Sequence, residues 1–429
     1  MAAQKISMER AEVIRKAMVG TFFTQALVTT AIIVRIPEII NNLGLSNNLA
    51  IWGTITGLTG TGSMIALLFA HRLVLRFGTT AVTRFGTLAA TVIQGSLPLI
   101  TNYWVYFVIT LIQAFFFSLY NNGANGQSLM VQHRMKKVIL GSIHGAWSLG
   151  VGVASVVAGI LASFLPLAWH MGIIAALGFA AHLYFNSKLM SRDEEKMSQI
   201  REKAQVKTSW LKTPRFVWLL AIGMFVGIWP ELVMGDWMSV YSTKVLHLTP
   251  ALISIPFTGF AAAMIIGRFL TGRVSEKIHV NKAASIGGYA GGVAMTAGLV
   301  LGLVLLPINE LLAVSVQAFF FFIAGLGESI MVPAFYSAAS HIREIPSTQA
   351  LARMNLVTSL IFIGAKGLMG TLADTFGLVV AMGFPVATYF ASGFIQNIVG
   401  KKAKKREVEN VIDFPPTGTI PVTVIKPQR

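Results

Sequence analysis

Twelve apolar runs divide this chain, each close to the roughly 20 residues an α-helix needs to cross a bilayer. They fall near residues 17–40, 49–70, 80–100, 103–129, 138–163, 167–187, 215–241, 250–271, 283–306, 311–337, 349–373 and 376–399. Such a chain has little choice of fold. Inside hydrocarbon every backbone N–H and C=O must find its partner within the protein, which leaves helices or a closed barrel. The runs are too long for barrel strands, so an all-α membrane protein with twelve transmembrane helices is expected. Charged residues make up 12% of the chain, against about 25% in soluble domains.

The basic residues set the orientation. Lys5, Arg10, Arg15 and Lys16 precede the first run; Arg72, Arg76 and Arg84 surround the second connection; Arg134, Lys136 and Lys137 lie in the fourth. The sixth connection carries Lys188, Arg192, Lys196, Arg201, Lys203, Lys207, Lys212 and Arg215. Arg268, Arg273, Lys277 and Lys282 mark the eighth, Arg343 and Arg353 the tenth, and Lys401–Arg406 the tail. Odd-numbered connections contain only Lys244. This alternation fits the positive-inside rule with both termini cytoplasmic. The net charge of +17 therefore reads as orientation signal and contact with anionic lipid headgroups, not as nucleic-acid binding. The chain has no Cys, hence no disulfide and no thiolate metal site. It also has no Asn-x-Ser/Thr acceptor, a mild pointer to a bacterial origin. The first run is too long for a signal-peptide core and is expected to be retained.

The pentapeptide Gln113–Phe117 recurs unchanged as Gln317–Phe321, 204 positions later. Leu45-Ser46 matches Leu248-Thr249, and Ile55-Thr56-Gly57 matches Phe257-Thr258-Gly259, at nearly the same offset. The expected organisation is thus two pseudo-symmetric six-helix bundles, 1–188 and 215–400. A cytoplasmic linker at 189–214 joins them, and a basic, then disordered tail follows at 401–429.

On these features the chain resembles the major facilitator superfamily over nearly its whole length. That family's loop signature is matched in part by Arg72, Arg76 and Gly78, and in a second copy by Gly267, Arg268 and Arg273. Both copies lack the signature's Asp, replaced by Leu75 and Gly272. Arg35-Ile36-Pro37-Glu38-Ile39, His144–Gly150 and Asp236-Trp237 look like a YbjJ-like bacterial branch distantly related to sugar permeases. The resemblance implies a small-molecule transporter of the cell membrane that works by alternating access.

Ionisable groups within spans are costly unless paired or hydrated, so they are the first candidates for function. The second half concentrates them at Glu231, Asp236, Glu328 and Lys366. Counting depth along the helices places Glu231 level with Lys366, which suggests an ion pair. Glu328 has no evident basic partner and is the first choice as proton carrier, ahead of Glu231 and Asp236. The alternative makes these acids static bridges and packing groups. Arg35 and Glu38 share a helix face near the outer end. In the resembled family, spans one and seven approach each other there. The gate hypothesis accordingly has Arg35 meeting Asp236; snorkelling of Arg35 to headgroups is the other reading.

Tyr120, Asn121, Asn122 and Asn125 crowd two turns of the fourth span, and amides suit a hydroxyl-rich or zwitterionic solute. Interhelical hydrogen bonding is the plainer alternative. Trp147 and His144 are candidates for stacking and binding. Gln25, Gln94, Gln113 and Gln317 read mostly as packing groups, with Gln25 retained as a candidate for the cavity wall. No acid cluster of the kind that binds magnesium and no Ser-His-acid set is apparent. The expectation is therefore a proton-coupled transporter acting as a monomer on a small organic solute, without cofactor or metal. An uncoupled facilitator, a multidrug-type exporter or a non-transporting membrane sensor are the alternatives.

Overall fold

The structure is a computed structural model, and it describes residues 6–136, 139–198, 210, 213–340, 342, 344–345 and 347–412. Sixteen α-helices follow one another in chain order, with no strand among the described residues. The first seven are α1 (Met8–Thr30), α2 (Ile36–Asn42), α3 (Leu49–Phe77), α4 (Thr79–Ser96), α5 (Tyr103–Met135), α6 (Leu140–Ala162) and α7 (Leu167–Ser187). The short α8 (Arg192–Ser198) lies in the linker. Then come α9 (Arg215–Lys244), α10 (Ile255–Lys277), α11 (Val280–Leu305), α12 (Glu310–Glu328) and α13 (Met331–Ser340). The last are α14 (Ser347–Phe376), α15 (Leu378–Ala381) and α16 (Gly383–Ile412).

Eleven helical segments of the described residues are long and apolar enough to cross a membrane. The remaining expected span, 80–100, is α4. Its apolarity is diluted by buried Thr79, Thr83, Thr87 and Thr91, one per turn on a single face. That face turns inward: Thr87 accepts from the Asn186 amide of α7 at 2.9 Å. Such threonines lower hydropathy without exposing polar groups to lipid.

Prolines account for two breaks within expected spans. Pro37 has no N–H and clashes with the carbonyl four residues back, Ile33, where the helix gives way to a 3₁₀ turn over Ile33–Arg35 before α2. Pro333 likewise cannot donate to Ser329, and α12 ends at Glu328 before α13 resumes at Met331. The repeat is visible in the packing. Gln113 of α5 donates to Gln94 of α4, and Gln317 of α12 donates to the Gly298 carbonyl of α11, the same 19-residue reach in each copy. Both amides are packing groups, as read from the sequence.

Helices α1–α7 pack on one another, and α9–α16 do the same. The two groups meet along α3/α14 and α6/α10. The apolar core shows where they are joined. At the end away from the linker and termini, one cluster draws on both groups, including Ile39, Trp52 and Ile55 from the first and Trp237, Phe257 and Met369 from the second. At the opposite, basic end the core is divided. One cluster holds Ile14, Met18, Tyr120 and Met190, all from the first group and its linker edge; another holds Leu220, Phe335, Met354 and Val399 from the second.

Close backbone approach makes the shared end possible. Gly53 of α3 faces the Lys366 carbonyl and Gly370 of α14, whose Cα lies only 2.9 Å from where a Gly53 Cβ would sit. Gly57 faces the Ile363 carbonyl one turn further along.

Candidate functional site

Between the two groups lies a cavity of about 290 Å³ whose wall includes Thr30, Trp147, Ser148, Glu231, Asp236, Phe257, Phe260 and Arg268. It sits beneath the shared apolar cluster, which closes it at one end. Glu231 lies seventeen residues into the thirty of α9, near mid-depth.

The charged pairs differ from those the depth count suggested. Glu231 is paired with Arg268 of α10, its two oxygens 3.0 and 3.3 Å from Nη2. Lys366 of α14 instead pairs with Asp236 at 2.7 Å. Residues five apart on a helix point about 140° apart, so Glu231 turns toward α10 and Asp236 toward α14. Depth alone does not carry that information. Arg268 is also no part of a loop motif: it stands mid-helix at the cavity, and its Nη1 reaches Ser148 Oγ of α6 across the two groups at 3.4 Å. Arg72, Arg76 and Arg273 are exposed at the basic end. Gly78 makes the α3–α4 turn at φ +89°, and Gly267 lies too close to Ser329 for any side chain.

Glu328 ends α12 and is 2% exposed, and neither of its carboxyl oxygens has a hydrogen-bond partner. It faces Glu231 and Arg268 from behind, with Tyr389 of α16 alongside. The Tyr389 hydroxyl is engaged elsewhere, donating to the Ala324 carbonyl at 3.0 Å. A carboxyl buried without a partner is an expensive group to hold inside a span.

Arg35 does not meet Asp236. It is 3% exposed, and its guanidinium donates to Glu38, to the Leu165 carbonyl and, from Nε at 3.1 Å, to Nδ1 of His170 in α7. An acceptor nitrogen means a neutral imidazole. The 3₁₀ turn before Pro37 directs Arg35 toward α7 and away from α9. His170 was not singled out in the sequence, where a lone histidine carries little signal.

The amides of α5 are bonded to their own helix. Asn125 donates to Asn121, and Asn122 donates to the Ser118 carbonyl at 2.8 Å. Tyr120 is fully buried between Phe22 and Phe117, and Gln25 is fully buried with neither amide atom partnered. The cavity wall described above includes none of Gln25, Tyr120, Asn121, Asn122, Asn125 or His144. His144 is exposed, lies edge-on to Phe22 at 5.4 Å and faces Arg268. Of the proposed binding residues, Trp147 alone stands in that wall.

The closed end carries polar contacts that sequence reasoning missed. Asp374 of α14 accepts the N–H groups of Leu49 and Ala50, both at 2.7 Å. Lys244 of α9 donates to the Ser46 carbonyl, and Ser239 Oγ donates to the Ile33 carbonyl at 2.8 Å. Each joins the second group to the first. At the basic end the linker helix is tied to the first group. Glu194 pairs with Arg10 at 2.7 Å, and Glu195 accepts the Thr79 N–H at the start of α4.

Two helix groups joined at one end around a charged cavity define a two-bundle membrane transporter. The chain belongs to the Major Facilitator Superfamily, whose sequence profile matches residues 18–365. It is 24% identical over 332 residues to an uncharacterized MFS-type transporter of Yersinia pestis, covering 76% of this chain and 80% of that protein. It is 22% identical over 273 residues to the membrane protein MosC of Rhizobium meliloti, covering 62% of each. Among solved structures it resembles a bacterial homologue of the human lysosomal transporter Spinster in an inward-facing, unoccupied conformation. The TM-score is 0.71 at 15% identity, over 94% of this chain and 99% of that one. It also resembles a mutant form of the nucleoside transporter NupG, with a TM-score of 0.69 at 12% identity over 90% and 99%. At such identities the likeness is one of fold. The protein is a multi-pass membrane transporter of this superfamily, not an enzyme.

Proposed function

We propose that this chain is a proton-coupled secondary transporter that moves a small organic solute by rocker-switch alternating access, with its basic end and both termini in the cytoplasm. The moving bodies are 1–188 and 215–400, joined by the linker 189–214, and one copy of the chain suffices because one chain forms the cavity. Lys401–Arg406 rests on anionic headgroups.

The observation that carries this reading is the division of the apolar core. The bundles share one cluster at the outer end and have separate clusters at the basic end. A solute site between them is then closed to the outside and approached from the cytoplasm; tilting the bundles about the cavity reverses this. The likeness to an inward-facing transporter agrees with that state.

Proton coupling rests on Glu328. A buried, unpartnered carboxyl behind the Glu231–Arg268 salt bridge is placed to pass a proton to that bridge when it opens. The test uses protein reconstituted in proteoliposomes with an internal pH dye and a panel of solutes. Glu328→Gln is expected to retain solute counterflow and to lose accumulation driven by a pH gradient. Undiminished pH-driven accumulation in that variant refutes the assignment.

A further inference from the structure

The Glu231–Arg268 pair also identifies what the cavity binds. We propose that the transported solute is a small monocarboxylate with an apolar body, that its carboxylate displaces Glu231 from Arg268, and that the displaced Glu231 takes up one proton. This deepens the transport function above and rests on it.

Four observations support the substrate class. First, the guanidinium is 41% exposed and its partner carboxylate 35% exposed, so the pair faces the cavity and is open to competition. Second, a carboxylate already sits on Arg268 with both oxygens within hydrogen-bonding reach, which shows that the geometry fits such a group. Third, apart from Thr30, Ser148 and the Lys366-paired Asp236 the rest of the wall is apolar or aromatic, with Trp147, Phe257, Phe260 and Ile265 next to the charged end. A sugar would leave its hydroxyls facing these surfaces without partners. Fourth, at about 290 Å³ the space lies at the lower end of the range for ligand pockets, which suits a compact solute. Ser148 joins from the opposite bundle, so the anion would be held at the seam where the bundles separate.

The charge balance gives the coupling. Facing this point are Arg268 from α10, Glu231 from α9, Glu328 and Tyr389 from behind, and His144 from α6. Asp236 is neutralised by Lys366 on the far side. Adding one carboxylate and freeing Glu231 leaves one surplus negative charge in a semi-enclosed space. One proton, passed through Glu328 to Glu231, restores neutrality and leaves Glu328 as it began. Solute anion and proton then cross together, and the cycle carries no net charge.

The test is calorimetric titration of full-length protein in nanodiscs with phenylacetate, with phenylacetamide and phenethylamine as neutral and cationic isosteres. Phenylacetate is expected to bind the wild type more tightly as pH falls. Glu231→Gln removes the competing carboxylate and should bind it roughly 10–100-fold tighter, the value of one charge-assisted contact, with little dependence on pH. Arg268→Gln should lose it. The double variant E231Q/R268Q, which leaves no unpaired charge, should also lose it while keeping the wild-type unfolding temperature.

Stronger binding of the amide or amine than of phenylacetate overturns the proposal. So does E231Q binding no tighter than wild type, or failing to bind both phenylacetate and hexanoate. The two readings fail separately. Proton-coupled uptake of a solute without a carboxylate defeats the substrate class alone; phenylacetate uptake without proton entry defeats the proton step alone.

Discussion

Asp374 of the second bundle caps a helix of the first: its carboxylate accepts the N–H groups of Leu49 and Ala50 at the start of α3. The residue preceding that helix, Asn48, makes no side-chain cap of its own. The first turn of α3 therefore has its free N–H groups satisfied from across the interface, and they lose that partner whenever the bundles part at this end.

Asp374→Ala should therefore favour the outward-open arrangement. Charge-assisted contacts of this kind contribute about 1.5–3 kcal/mol, and exposure of the site reduces the effect toward about 1 kcal/mol. The chain has no Cys, so spin labels placed at Asn47 and Val380 report the distance across the outer end without background. A longer mean distance in the variant is the expected outcome.

Gly53→Ala should act in the same direction by a steric route. The added methyl meets the Lys366 carbonyl and Gly370, all backbone that cannot rotate aside, so α3 and α14 must separate locally. The same label pair should show the outer end opening with little loss of helix content.

Double-mutant cycles should place the coupling on Asp236 and Lys366, and separately on Glu231 and Arg268. Lys366→Gln leaves Asp236 without a cation and should lower stability by about 1–2 kcal/mol, less than a fully buried pair would because both side chains remain partly exposed. Adding Asp236→Asn should restore most of it. A cycle between Glu231 and Lys366 should give nearly additive losses in unfolding temperature.

The linker latch should be stable at neutral pH and fail in acid. The hydrogen bond from Arg10 holds the Glu194 carboxyl below its ordinary value of 4.5, with the Ser191 contacts adding to the effect against opposing burial. A lowered folded-state pKa means that the stabilisation is complete above the ordinary value and is lost as pH falls through the folded value. Unfolding temperature should thus decline below pH 4.5 more steeply in the wild type than in Glu194→Gln, measured by scanning fluorimetry.

Gly78→Ala should destabilise the α3–α4 turn by roughly 1–3 kcal/mol, because its φ of +89° with extended ψ is a region open essentially to Gly alone. A Cβ there would also lie 2.7 Å from the Glu195 carboxylate that caps α4. A lowered unfolding temperature with retained membrane insertion is expected.

Much of this was legible along the chain. The apolar runs lie where the helices lie, because backbone hydrogen bonding in hydrocarbon permits nothing else. Trp147, Glu231, Asp236, Lys366 and Glu328 stood out because each is expensive or conspicuous at its depth. Less legible were partners lying on distant helices. His170 and Asp374 carry no local signal of their partners, and Arg268 reads as part of a loop motif because of its neighbours Gly267 and Arg273. The amides of α5, three in two turns, bond within their own helix, Asn125 to Asn121 and Asn122 to the Ser118 carbonyl, a pattern that residue spacing alone does not reveal.

The sequence by itself determined the helices, the depth of each charged group and the internal repeat, since depth follows from about 1.5 Å of rise per residue whatever the neighbours are. It also determined the charge asymmetry on which the orientation rests. The tertiary structure decided which charges meet. The direction in which a side chain points becomes a contact only when another helix packs against that face, and the helix that pairs with Glu231 lies 37 residues away while the one that caps Leu49 lies 325 away. Depth is a local property of a helical chain; partnership is set by packing between bundles.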